Sequence, residues 1–276
     1  MVRISFQRTV FASLKVQLCA GLLLVSNTFY GAEYPSLAPA QVDWIGDQIF
    51  NNECDRQPGC LTAWNQGENF PSLGIGHFIW FQAKQEEIFE ESFPELLRYF
   101  IAEGVKIPTW IDTVNLDSPW HNRDAFLADI DSEQMQELRS FLAQHSRQQT
   151  RFIINRFDSA LDKILDSEAS ITTRTRLQEN FYAVAIASPP HGLYALIDYV
   201  NFKGTGTSEQ ETYQAQGWGL KQVLLGMVTH DHLPPIQAFI QSARDTLQAR
   251  VNHAPAERNE QRWLSGWNNR LDTYSP

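Results

Sequence analysis

The sequence predicts an α+β fold that is mostly helical, with one small β segment near its start. Three observations carry this expectation. Apolar residues recur at helical spacing through most of the chain beyond Glu86. One stretch, Trp64 to Phe81, breaks that rhythm by setting Gly67, Pro71, Gly74 and Gly76 among aromatics, which suits a hairpin better than a helix. A composition of 43% hydrophobic and 12% aromatic residues can build the core of one large domain.

Along the chain, Val42, Ile45 and Ile49 place a first helix from about Ala40 to Asn52, ended by the Pro58-Gly59 turn. Asp131 and Gln134 are expected to cap a helix carrying Met135, Leu138 and Phe141. Ile153, Ile154, Phe157, Leu161 and Ile164 mark a further helix. Another stops at Ser188-Pro189-Pro190, and one from Leu193 to Val200 follows. The Gly/Thr-rich loop Lys203 to Ser208 leads to Val223–Met227, and a last apolar stripe runs from Ile236 to Val251.

The N-terminus reads as a secretory signal. Arg3, Arg8 and Lys15 precede an apolar run from Val16 to Val25, too short to span a bilayer, and small and polar residues follow. Cleavage is expected after Ala32, so that residues 1–32 are removed with Cys19 and residues 33–276 form a single exported domain, periplasmic or extracellular. That domain keeps 19 basic and 32 acidic residues, a net charge of −13 against −10 for the whole chain. Such a balance disfavours nucleic acid and bulk adhesion to an anionic polymer, so a carbohydrate site would work through local contacts. Two cysteines remain, Cys54 and Cys60, and an oxidising compartment makes a disulfide between them the expectation. A ring this short contributes about 2 kcal/mol at most, so its role is to set local geometry.

Glu53 ends the first helix and is followed by Trp64-Asn65-Gln66-Gly67-Glu68-Asn69-Phe70-Pro71-Ser72-Leu73-Gly74-Ile75-Gly76-His77. This arrangement resembles the active-site region of phage-type lysozymes, in which a catalytic glutamate closes the first helix and a hairpin follows. That hairpin carries an aspartate, a threonine and Ile-Gly-Ile-Gly-His. Ser72 stands at the threonine position, Leu73 at the next aliphatic, and Gly74 to His77 are identical. The aspartate position holds Gln66, a departure that removes the usual second carboxylate. The likeness covers about 25 residues, with a fainter echo in Arg262 to Arg270 of basic and aromatic C-terminal helices in phage endolysins.

The resemblance implies a small hairpin lobe packed on a larger helical lobe, and cleavage of a β-1,4-linked amino-sugar polymer, most readily peptidoglycan, by hydrolysis or transglycosylation. It makes Glu53 the general acid. Independent physics points the same way: a helix C-terminus disfavours ionisation, and packing against Trp64 or Phe70 would raise the carboxyl further. Glu68, two residues beyond Gln66, is either a displaced base or a structural ion-pair partner. Ser72 would hold a water or a substrate hydroxyl. Trp64, Gln66, Tyr199 and Asn201 are candidates for the substrate-binding walls, with Lys203 beside them. His77 is read as a structural ion-pair residue, and Gly74 and Gly76 as sites of close backbone packing. His230-Asp231-His232 lacks a third ligand, so neither a metal nor a cofactor is expected. Two other readings stay open: a lysozyme-like protein that binds glycan without cutting it, which Gln66 favours, and a chitin or chitosan hydrolase, which the acidic surface favours.

Overall fold

A computed structural model describes residues 36–276 apart from 88 and 210. The signal segment expected over 1–32, with Cys19, lies outside the described residues. What is described is mostly helical, with two small antiparallel sheets.

Helix α1 (Pro39–Cys54) begins with proline in its first turn, where the missing N–H is no loss, and the Gln41 side chain accepts from the Ala38 N–H at 2.9 Å. Ile45 and Ile49 are fully buried along it. The helix runs two residues past the expected end, which brings Glu53 and Cys54 into its last turn. Asp55, at φ 45°, then turns left-handed and donates its N–H to Asn51 O.

The irregular stretch folds as a three-stranded antiparallel sheet, β1 (Thr62–Ala63), β2 (Ser72–Leu73) and β3 (Phe78–Ile79). Thr62 pairs with Leu73, and Leu73 with Phe78. Gly74 leaves β2 at φ 71°, and Ile75 N–H donates to Gln149 Oε1 at 2.9 Å. A Cβ on Gly74 would lie 2.2 Å from that oxygen, so the turn seats directly on the helical part.

Helix α2 (Phe93–Ala102) buries Phe93, Leu96, Leu97 and Phe100, and α3 (Arg123–Ala128) is capped by Asn122. Helix α4 (Glu133–Gln144) carries the expected Met135, Leu138 and Phe141, but its cap is Ser132, which accepts from Met135 N–H, rather than the pair Asp131 and Gln134. The single helix expected through Ile164 is two, α5 (Ser146–Asp158) and α6 (Ala160–Asp166), broken at Ser159. Both halves keep their apolar residues inside, so periodicity alone did not reveal the break.

Helix α7 (Ile171–Ala185) precedes α8 (His191–Lys203), in which every residue from Gly192 to Tyr199 is buried. A helix covered on all sides is the axis of its domain, and α5, α7 and α9 pack around it. Beyond α8 lies an unexpected hairpin, β4 (Thr212–Tyr213) with β5 (Gln216–Gly217). Helices α9 (Leu220–Gly226), α10 (Pro235–His253) and α11 (Gln261–Asp272) complete the chain. Among the described residues, no helix is long and apolar enough to cross a membrane.

Candidate active site

The end of α1 is tied to α8 and α11 by polar contacts that sequence order does not suggest. Asn52 donates to Tyr194 Oη at 2.6 Å, and Tyr194 shares a 2.7 Å hydrogen bond with Thr273. One residue on, Glu53 Oε1 meets Arg270 Nη2 at 2.7 Å, and Glu53 Oε2 meets His77 Nδ1 at 3.3 Å. Arg270 is itself buried, and its other contacts go to Asp198, with Nε on Oδ2 at 2.7 Å and Nη2 on Oδ1 at 2.8 Å. Tyr274 donates to the same Asp198 at 2.7 Å. A chain of charge therefore runs from Asp198 through Arg270 to Glu53 and His77, and only Glu53 and His77 keep part of their side chains exposed, at 15% and 21%.

His77 is held from both sides. Its backbone lies in the left-handed region at φ 47°, a costly conformation for a residue with a Cβ. Its Nε2 is 3.4 Å from Cys54 Sγ and 3.1 Å from Cys60 Sγ, against the disulfide that joins those cysteines across a Cα separation of 5.4 Å. The ring thus bridges the disulfide and the Glu53 carboxylate. That agrees with an ion-pair role for His77, and the partner is Glu53 itself.

Electrostatics reverse one expectation. Burial would raise the Glu53 carboxyl, as foreseen, but the charges of Arg270, His77 and Lys203 outweigh it and hold the group below the usual carboxylate range. The aromatic packing that was to help is elsewhere. Trp64 packs edge-on against Phe126, and Phe70 lies against Phe81 and Phe89. In the unliganded protein Glu53 is an anion in a cationic cradle.

A cleft of about 830 Å3 opens beside this cradle. Gly76, His77 and Phe78 line one side, and Asn201, Phe202, Lys203 and Gly204, at the end of α8, line another. Tyr213, Trp218, Arg250 and Arg258 extend it, and Glu87, Glu90, Glu95 and Glu211 supply negative charge. Glu53 does not line the cleft; its partner His77 does, as does Lys203.

The other expected site residues divide clearly. Asn201 is in the cleft wall with its Nδ2 buried and unpartnered. Tyr199, expected beside it, is fully buried and donates to Trp218 O at 2.9 Å; two residues along a helix turn the side chain to the opposite face. Trp64 is likewise core, its indole N–H given to Glu68 O at 2.8 Å. Ser72 is a buried strand residue, and Gln66 is exposed in the β1–β2 turn; neither lines the cleft. Glu68 also lies outside the cleft wall, receiving a 3.2 Å hydrogen bond from Asn65, and burial raises its carboxyl. No Lys, Arg or His pairs with Glu68 among the described residues, so the ion-pair alternative for it is not formed. His230 pairs with Asp245 at 2.8 Å, which accounts for it without a metal.

Sequence reasoning found Lys203 but missed Arg270, Asp198, Arg250 and Arg258. Arg270 lay within the basic and aromatic stretch already noted, and this was the only available signal; nothing local marks Asp198 among the apolar residues of α8. No family model, curated protein or solved structure matches the chain.

Proposed function

We propose that the protein is an exported enzyme that cleaves a β-1,4-linked amino-sugar polymer, peptidoglycan first among them, with Glu53 as the proton-transferring group. The observation that carries the reading is the Glu53 carboxylate at the end of α1, flanked by the Gly74–His77 turn and gripped by Arg270 and His77 beside a long cleft. Glycosidic cleavage needs an acid at the leaving oxygen. In this reading Glu53 meets that need by taking a proton from His77, whose Nδ1 lies 3.3 Å from its Oε2. Filling the cleft with sugar displaces water and makes a separated charge pair less favourable, which favours this transfer.

The wall opposite the acid decides the reaction type. Inverting hydrolysis needs a second carboxylate to activate water across the sugar ring. Gln66 is an amide and Glu68, like Glu53, does not line the cleft, so neither position marked by the sequence supplies that carboxylate. Glu87, Glu90, Glu95 and Glu211 are the carboxylates in the lining. A transglycosylase route, in which the sugar's own hydroxyl attacks and Glu53 serves as acid and then base, needs no second carboxylate. Digestion of purified sacculi tests both readings. Transglycosylation leaves 1,6-anhydro ends, whereas hydrolysis leaves reducing ends that incorporate labelled oxygen from water. If hydrolysis is found and Glu68→Gln abolishes it, the single-carboxylate route is wrong.

A second reading, glycan binding without cleavage, draws on the same two facts: Gln66 replaces a carboxylate, and the unliganded Glu53 is ionised. A wild-type chain that binds sacculi, chitin or chitosan yet releases no product from any of them would establish it.

A further inference from the structure

Beyond the Glu53 cradle, cations and aromatic rings alternate beside the cleft, and Phe202, Lys203, Trp218 and Arg250 of the series line it. The Arg270 guanidinium lies 4.3 Å from the Phe202 ring centre, and Lys203 Nζ lies 3.8 Å from the same ring and 3.9 Å from Trp267. Arg250 continues the series at 5.2 Å from Trp267 and 4.0 Å from Trp218. Cations over rings attract the π face, so the ladder is a sound way to bring like charges together.

The carboxylates of the ladder are unevenly shared. Arg270 has Asp198 and Glu53. Arg250 and Arg258 both pair with the fully buried Glu260. Lys203, between these two groups, makes no ion pair or hydrogen bond among the described residues, although it lines the cleft. Glu211 also lines this end, its carboxyl raised by burial and lowered in part by Arg250. Burial and the neighbouring charges of Arg250 and Arg270 penalise the Lys203 ammonium, and an incoming anion would relieve that penalty. Two residues before it, Asn201 also lines the cleft, and its buried Nδ2 has no hydrogen-bond partner. Across the cleft, Arg156 is matched by Glu90 at 3.5 Å and Glu95 at 4.0 Å, whereas Lys203 feels the charges of Glu53 and Glu260 but has neither within ion-pair distance.

We propose that Lys203, with Asn201 and Arg250, forms a subsite for a carboxylate carried by the saccharide, so that the preferred substrate is an anionic amino-sugar polymer rather than a neutral or cationic one. The proposal rests on the glycan-cleaving reading and narrows it. Carboxylates on the lactyl groups or stem peptides of peptidoglycan satisfy it, whereas neutral chitin and cationic chitosan do not. The acidic surface repels such a polymer at long range, which salt screens, and within the cleft Arg156 offsets Glu90 and Glu95, so the carboxylate is taken at the α8 end.

The test is calorimetric binding of the full chain to peptidoglycan-derived oligosaccharides with free carboxylates, and to the same oligosaccharides after their carboxylates are amidated. A chitin hexasaccharide and a chitosan hexasaccharide serve as neutral and cationic probes. The wild type is expected to favour the carboxylated form by about 10–100-fold, the range of a charge-assisted hydrogen bond in a partly buried site. Lys203→Met fills the space between the rings and should erase that preference while leaving affinity for the amidated form essentially unchanged. Lys203→Arg should retain part of it. Equal wild-type affinity for the two forms, a preference that survives Lys203→Met, or equal weakening of both forms in that variant would each overturn the proposal. Cleavage without the preference sinks the subsite alone; the preference without cleavage of any probe sinks the enzymatic reading and leaves the subsite standing.

Discussion

Glu53 and Glu260 are both carboxylates held by arginine near the same cleft, and the difference between them separates a working group from a structural one. Glu260 is sealed, with a side chain wholly inaccessible to solvent. Its Oε1 accepts from Tyr213 at 2.8 Å and from Arg250 and Arg258 at 3.0 Å, and its Oε2 accepts from Arg250 at 2.7 Å. Glu53 has one arginine on Oε1 and, on Oε2, a histidine. Arginine does not give up a proton at accessible pH, whereas histidine does. Both carboxyls lie below the usual range, yet only Glu53 has a histidine partner and part of its surface open. A saturated carboxylate locks α10 to α11; an unsaturated one is free to change its proton.

The sharpest way to break this contrast is to replace each carboxylate by its amide. Glu53→Gln should lower turnover on sacculi by about 10²–10⁴-fold, the usual contribution of general acid–base help, with the fold kept, as circular dichroism and melting would report. Substantial turnover in that variant would remove Glu53 from the chemistry. Glu260→Gln should do the opposite, leaving Arg250 and Arg258 without a buried counter-charge and costing about 3–5 kcal/mol in denaturant unfolding, while the folded fraction keeps its activity.

A finer test uses pH. Burial would raise the Glu260 carboxyl, but the donations from Arg250 and Tyr213 carry it from 4.5 down to about 2. A folded pKa below the unfolded one means that this stabilisation is complete above pH 4.5 and is lost as pH falls toward about 2. Melting temperature should therefore drop across that window in the wild type, and less steeply in Glu260→Gln. For Glu53, the proposed proton comes from His77, and an imidazole ordinarily holds a proton to higher pH than a carboxylate. His77→Asn, which leaves that proton to Glu53 alone, should therefore move the alkaline limb of the pH–rate profile to lower pH. His77→Asn with an unmoved limb would show that His77 does not act on the Glu53 proton.

The smallest expected effect on stability is that of the disulfide. Cys54→Ser with Cys60→Ser opens a short ring and should cost about 2 kcal/mol or less. Because both sulfurs touch the His77 ring, activity should fall further than this loss implies. Equal losses in melting and turnover would make the ring an ordinary staple.

What could be read from residues alone was whatever neighbours along the chain determine. The helical class, the interruption between Trp64 and Phe81, the short disulfide and the position of Glu53 at a helix end all follow from periodicity, turn residues and cysteine spacing, which are local properties. Even there, details differed: Ser132 rather than Asp131 caps its helix, and Ser159 divides a helix whose apolar rhythm is unbroken. Side-chain direction was harder still. Tyr199 and Asn201 were chosen together, yet a helix turns about 100° per residue, so one faces the core and the other the cleft.

The protonation state of Glu53 belonged wholly to the tertiary structure. Sequence supplied a helix C-terminus and nearby aromatics, both of which argue for a raised pKa. Folding placed Arg270 at 2.7 Å, from a residue more than two hundred positions away, and turned the aromatics elsewhere. Coulomb energy depends on distance through space, and at Glu53 desolvation is outweighed only by Arg270, His77 and Lys203 together. The ladder that leaves Lys203 unmatched arose in the same way, from rings and charges that only folding brings within 4 Å of each other.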